Sequence, residues 1–169
     1  MSKIAAILTD WFEDSEYTQP AEAFEKAGHT VVTIGPEGGT TATGKKSGTK
    51  VKIQQAIEES RAEDFDALLI PGGFSPDKLR ADQKAVDFVK AFMQANKPVF
   101  AICHAPQLLI TADVLRGRTI TGFTSIIQDI KNAGANFVDQ EVVVDDNLVS
   151  SRNPGDLPAF IKECLKKLE

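Results

Sequence analysis

The 169 residues contain only two cysteines, two histidines, one tryptophan and one tyrosine, and each scarcity excludes something. Cys103 and Cys164 are too few to staple a chain of this size, so a hydrophobic core must hold the fold and both thiols are expected to be free. His29 and His104 stand in no spacing with the cysteines that builds a structural zinc site, so no metal is expected. Basic residues number 19 against 24 acidic ones, a net charge of −5, and the signs are mixed along the chain. No basic face is offered to phosphate backbones, and nucleic acid is not an expected partner. Long apolar runs are missing too. The first, Ile4 to Leu8, is closed by Thr9 and Asp10, too short for a leader core or a membrane span. No membrane partner is expected, and a cytoplasmic location is.

What is present is the composition of an ordinary globular protein, 42% hydrophobic and 25% charged, at a length that fits a single domain over 1–169. Lys3–Thr9 reads as a strand buried on both faces. Tyr17–Ala27 has helical spacing stopped by Gly28, and Val31–Ile34 is a second strand. Ala67–Ile70, closed by Pro71-Gly72-Gly73, and Val99–Ile102, closed by Cys103, are two more short apolar runs flanking a helical stretch, Ala85–Ala95. Alternating strands and helices predict an α/β fold with a mostly parallel sheet covered on both faces. Glu141–Val144 and Leu148–Ser151 flank Asp145-Asp146-Asn147, which suits a late antiparallel hairpin. The closing helix puts Leu157, Phe160, Ile161, Cys164, Leu165 and Leu168 on one stripe, so Cys164 reads as core.

Gly39-Thr-Thr-Ala-Thr-Gly44-Lys45 matches a phosphate-binding loop until the next position. Lys46 stands where a magnesium-binding Ser or Thr is needed, and Val51-Lys52-Ile53 continues with strand-like alternation rather than a helix. The expectation is an exposed loop or hairpin.

Chemistry concentrates at Val99-Phe-Ala-Ile-Cys103-His104-Ala105-Pro106, which enters as a strand and leaves as a helix started by Pro106. Ala101 and Ala105, two residues either side of the cysteine, are small enough for a sharp nucleophile elbow. A thiol at a helix N-terminus feels unpaired N–H groups, so Cys103 is expected to be more acidic than a free cysteine. Adjacency alone does not make His104 its base. In a parallel sheet, residues after the other strands meet Cys103 at the carboxyl edge. Glu13, with Asp14 and Glu16, follows the first strand, and Asp77 follows the Pro71-Gly72-Gly73 turn. Asp14 and Glu16 read as helix-start carboxylates serving the macrodipole. The backbone N–H groups of Gly72 and Gly73 are candidates for contacting substrate or a developing oxyanion. Arg152 is a candidate for holding an anionic substrate group, or equally a structural arginine.

These residues resemble the signatures of the ThiJ/PfpI family of the class I glutamine amidotransferase-like superfamily. They are Phe12-Glu13-Asp14, Leu69-Ile70-Pro71-Gly72-Gly73, Ala101-Ile102-Cys103-His104, Leu115-Arg116-Gly117-Arg118 and Ser150-Ser151-Arg152. They run the length of the chain, and the PfpI-type intracellular proteases and stress proteins look most similar. The resemblance implies a flavodoxin-like three-layer sandwich, no cofactor, and a homodimer or larger homo-oligomer such as a hexamer. It implies Cys103 as nucleophile with Glu13 hydrogen-bonded to it, and Gly73 and His104 N–H groups as oxyanion hole. It also implies His104 oriented by an acid from a neighbouring subunit, where this chain has Asp77 in place of the usual Glu. Ala105 stands where many relatives carry Gly.

Three functions follow. Cys103 attacks a reactive carbonyl, methylglyoxal or its adduct on a protein, with Glu13 moving the proton, as in a glyoxalase or deglycase. Alternatively, Cys103, His104 and Asp77 hydrolyse amides. Outside enzymology, Cys103 oxidation serves a redox sensor or chaperone.

Overall fold

Short apolar runs with no polar alternation must be covered on both faces, and the computed structural model, which describes residues 1–169, arranges them that way. The elements in order are β1 (Lys3–Ile7), α1 (Asp14–Lys26), β2 (Thr30–Gly35), β3 (Thr41–Thr43), β4 (Lys50–Lys52), β5 (Gln55–Ala56), β6 (Ala67–Ile70), α2 (Ser75–Leu79) and α3 (Gln83–Gln94). There follow β7 (Val99–Ile102), α4 (Pro106–Thr111), β8 (Thr119–Ile120), α5 (Ile127–Asn132), β9 (Asn136–Phe137), β10 (Val143–Asp145), β11 (Leu148–Ser151) and α6 (Leu157–Lys167). Seven strands form one sheet in the order β10-β11-β7-β6-β1-β2-β5. All pairings in it are parallel except β10 with β11. The core order β2-β1-β6-β7-β11 is the flavodoxin-like arrangement. A second, two-stranded parallel sheet, β8 with β9, was not anticipated.

Alternate residues of each central strand serve opposite layers. Ala5, Ile7, Leu68, Ile70, Val99 and Ala101 pack with α3, α4 and α5 through Phe88, Phe92, Leu108 and Ile130. Ile4, Ala6, Leu69, Phe100 and Ile102 face α1 and α6 through Phe24, Leu157, Phe160 and the fully buried Cys164. The late hairpin is tied down by Arg118, whose guanidinium donates to the Asp145 carboxylate at 3.0 Å and to Asn147 Oδ1 at 2.8 Å.

The order in which strands are added reverses at the β1/β6 boundary, the place where ligands bind in open α/β sheets. The segments leaving β1 and β6 pair there. Phe12 and Gly73 form an antiparallel bridge, Glu13 N donates to Gly72 O at 3.1 Å, and Phe74 N donates to Trp11 O at 2.8 Å. Gly73 is required: its φ is +80°, and a Cβ would stand 2.5 Å from Glu13 N.

The phosphate-loop look-alike is the β3–β4 hairpin, as its alternation implied. Its turn cradles an anion that belongs to the chain. Lys46, Ser47 and Thr49 N–H groups donate to the Asp14 carboxylate at 2.9, 3.3 and 3.0 Å, and a Cβ on Gly44 would collide with that carboxylate. Burial opposes ionisation of Asp14, but the hydrogen bonds from Thr49 and Lys46 outweigh it and hold the carboxyl well below its usual range. Lys45 N donates to Phe12 O at 2.9 Å, which straps the hairpin to the β1–α1 loop.

Phe100 is fully buried and packs on Phe24 at 5.7 Å between ring centroids. Phe100→Ala is expected to cost about 3–5 kcal/mol in urea denaturation. Gly44→Ala is expected to cost about 1–3 kcal/mol, with faster amide exchange at Lys46 and Thr49 as the sign that the hairpin has detached.

Candidate active site

Cys103 is the corner residue between β7 and α4 and sits at φ 65°, in the left-handed region. That conformation costs a non-glycine residue about 1–3 kcal/mol and persists only where the surroundings enforce it. Cys103 N donates to Ser151 O at 3.0 Å, and Phe123 N donates to Cys103 O at 2.9 Å, so both backbone groups are pinned by the strand and loop on one side. The sulfur is contacted by the backbone N–H groups of Gly73 and His104 and by the side chain of Glu16. Both N–H groups favour the thiolate over the thiol.

The carboxyl beside the thiol is Glu16, not Glu13. Glu16 is fully buried, and its Oε1 accepts from Gly72 N at 2.8 Å. Its Oε2 has no hydrogen-bond partner. It does not act as a helix-start charge, because its side chain leaves the helix for the sheet. Burial, then the charge of Glu13, pushes its pKa up to about 8, against the lowering effects of Gly72 N–H, Lys45 and Cys103. Glu13 makes no hydrogen bond to Cys103. Its Oε1 lies 3.8 Å from Lys45 Nζ, and its Oε2 is buried and unpartnered. The inward direction of Glu16 was readable, because Glu16, Pro20 and Phe24 form one buried stripe at four-residue spacing. Lys45 had no such signal, since only the folded hairpin brings it to Glu13.

Cys103 also departs from expectation. Burial first, and then the charge of Glu16, pushes the thiol up to about 12, and the Gly73 and His104 N–H groups offset this only in part. The six-residue helix α4 supplies too little field to reverse the cost of desolvating a thiolate. The two groups titrate as a pair.

His104 packs its ring on Phe123 at 4.9 Å. Burial, then the Lys45 charge, lowers its pKa, while the charge of Asp77 opposes. No hydrogen bond joins His104 to Asp77 within the chain. Gly72 has both backbone groups engaged, by Glu16 and Glu13, so it positions the carboxyl instead of binding substrate. Arg152 is likewise occupied, with Asp156 in bidentate contact at 2.9 and 3.0 Å and Asp139 at 3.0 Å. This is the structural alternative for that arginine: it fastens the loop before α6. No cluster of three or more His, Cys, Asp or Glu side chains is placed to hold a metal ion, and no helix is long and apolar enough to cross a membrane.

The chain is similar along its whole length to several known proteins. Protein/nucleic acid deglycase 2 of Escherichia coli is 58% identical over 167 residues, covering 98% of this chain and 97% of that protein. General stress protein 18 of Bacillus subtilis is 58% identical over 168 residues, covering 99% and 98%. A second B. subtilis protein, YraA, provisionally named a cysteine protease, is 58% identical over 167 residues, covering 99% and 98%. Among solved structures, a two-domain Anabaena variabilis protein with DJ-1/ThiJ/PfpI-like and ferritin-like domains superposes with a TM-score of 0.97 at 40% identity, over 99% of this chain and 48% of that one. Residues 2–167 match the DJ-1/PfpI family. The chain belongs to the DJ-1/PfpI family.

Proposed function

We propose that this chain is a stress-protective cysteine enzyme that acts on reactive carbonyls, methylglyoxal or its adducts on other molecules, through Cys103 and Glu16. The observation that carries this reading is the buried pair itself: a thiol beside a carboxyl whose pKa is pushed up to about 8, with two backbone donors converging on the sulfur. Such a pair sets a proton acceptor beside the thiol, and because the thiol holds its proton more tightly than the carboxyl does, the proton crosses to Glu16 as sulfur bonds to the carbonyl carbon and not before.

In the one-proton state, Glu16 carboxylate takes the thiol proton as sulfur attacks the aldehyde carbon, and the Gly73 and His104 N–H groups receive the oxyanion. Glu16 returns the proton to that oxygen, giving a hemithioacetal. It then removes the hydrogen on the former aldehyde carbon and delivers it to the neighbouring carbon, while the hydroxyl proton crosses between the two oxygens. The product is a lactoyl thioester. Water cleaves it, lactate leaves, and the thiol is restored, so methylglyoxal plus water becomes lactate. Glu16 fills the shuttle role that the sequence pattern assigned to Glu13.

Amide hydrolysis by Cys103, His104 and Asp77 has weaker support. It needs His104 protonated to release the amine, yet burial and Lys45 favour the neutral ring, and its acid, Asp77, has to come from a neighbouring subunit. Redox sensing is disfavoured by the raised thiol pKa, since the thiolate is the form that oxidises.

NMR of methylglyoxal with pure protein is expected to show lactate from wild type and none from Cys103→Ser. Glu16→Gln should lose about 10²–10⁴-fold in kcat, and Glu13→Gln far less; a larger loss in Glu13→Gln would return the shuttle to Glu13. Because the proton-accepting form of Glu16 exists above its pKa, kcat/KM should rise with pH through about 8, and a flat profile there would overturn the assignment. Burying the carboxyl lets the folded state hold a proton that the unfolded chain releases near its ordinary value of 4.5, so stability falls as pH rises from there to about 8. Glu16→Gln is expected to melt higher than wild type at pH 9 while being nearly inactive.

A further inference from the structure

We propose that Lys45, carried into the site by the β3–β4 hairpin, is a positioning residue of the cysteine centre, its ammonium group pairing with Glu13 and setting the charge around Glu16 and His104. The inference deepens the reading of Cys103 and Glu16 as a proton-sharing pair and rests on it.

Lysines on a hairpin turn are ordinarily solvated and mobile, and Lys45, Lys46, Lys50 and Lys52 are all exposed residues. Lys45 differs at its root and at its tip. Its backbone N–H is bonded to Phe12 O, and its neighbours Gly44 and Lys46 are fixed against the Asp14 carboxylate. The side chain therefore starts from an anchored point beside the β1–α1 loop. Its tip reaches the Glu13 carboxylate at 3.8 Å, with the lysine side chain 35% and the glutamate side chain 8% exposed. The ammonium also lies 5.6 Å from the centroid of the Phe74 ring, the residue after Gly73. Nζ donates no hydrogen bond that would fix it elsewhere.

The charged and titratable groups around Glu16 are Glu13 from the loop before α1, Cys103 from the β7–α4 corner and Lys45 from the hairpin. Those around His104 are Asp77 from α2 and, again, Lys45. Lys45 is thus the one cation felt at both, and it acts on both in the direction of deprotonation. It stabilises the carboxylate of Glu16 and destabilises the imidazolium of His104. A site that confines Glu13 and Glu16 together would otherwise hold its proton too tightly to accept another from the thiol. On this view the hairpin is part of the active site although no residue of it touches the sulfur.

The test uses Lys45→Gln and Lys45→Arg in the full chain, with two readouts that need no turnover. The rate of Cys103 alkylation by iodoacetamide against pH reports the thiol–carboxyl pair. NMR titration of the imidazole C–H signals reports His104, with His29, bonded to Ser2 N at the far end of the sheet, as internal control. In Lys45→Gln both midpoints should move up by about half a pH unit or more, with His29 unmoved. In Lys45→Arg they should stay at the wild-type values. Unchanged midpoints in Lys45→Gln would overturn the proposal. So would an equal shift in Lys45→Arg, because charge would then not be the cause. If wild type fails to turn over methylglyoxal yet the midpoints shift as stated, the carbonyl reading falls and the role of Lys45 stands.

Discussion

The site depends on one hydrogen bond, from the backbone of Gly72 to the buried carboxyl of Glu16. Taking a carboxyl wholly out of water is costly unless its oxygens are satisfied or it keeps its proton. This one has a single backbone donor and a second oxygen without a protein partner. The proton is therefore retained to about pH 8, and above that the bare carboxylate stands beside the thiol of Cys103 as its proton acceptor. That bond also fixes how closely the β6 turn approaches the β7 corner. A side chain at Gly72 would put its Cβ 2.7 Å from the Cβ of Cys103, so the absence of a side chain at Gly72 and the burial of Glu16 are two parts of one constraint.

Strain and charge at the corner reinforce each other. The left-handed backbone at Cys103 turns the next N–H, that of His104, back toward the sulfur, while the left-handed Gly73 turns another toward it from the turn that follows the neighbouring parallel strand β6. Two donors on one sulfur favour the thiolate, yet burial and the carboxylates oppose them and prevail in the resting protein. The donors gain their full effect once negative charge moves from sulfur to an attacked carbonyl oxygen, since they are already oriented and need no reorganisation. A thiol reluctant to ionise alone, but supplied with a carboxylate to receive its proton, suits reversible addition to aldehydes better than it suits peroxide sensing.

Much of the fold was legible because local and global signals agree. Ala67–Ile70 and Val99–Ile102 lie where four-residue apolar runs ended by Pro71-Gly72-Gly73 and by Cys103 put them. Helix α1 begins at Asp14, earlier than its apolar periodicity suggests, because its first turn buries carboxylates where the pattern looks for hydrocarbons. The same substitution of acid for apolar residue hid Glu16. Its four-residue spacing to Pro20 and Phe24 marks the inward face, but a charged side chain on that face reads as solvent-exposed until its partner is known. Gly72 N–H lies 56 residues away in sequence, so that partner could not be read. For Arg152 the clue was local and available, since Asp156 stands one helical turn further on. The acidity of Cys103 was misjudged for a different reason: a motif reports the field of a helix terminus but not the dielectric around it.

The look-alike of a phosphate-binding loop makes the same point in reverse. Successive backbone N–H groups in a glycine-containing turn form a nest for an anion whether or not the anion is a ligand, and here the nest is filled by Asp14 of the same chain. The sequence pattern therefore carried a true physical signal with the wrong occupant. Its consequence is structural and electrostatic: by binding the residue that follows Glu13, the turn locks Lys45 against the active-site loop. Since Asp14 is the first residue of α1 and directly follows Glu13, anything that loosens the nest loosens the approach of Lys45 to Glu13 as well. The acidic run Glu13-Asp14-Ser15-Glu16 thus divides its carboxylates by direction, one toward Lys45, one into the nest and one onto the thiol, and only the last faces the reacting atom.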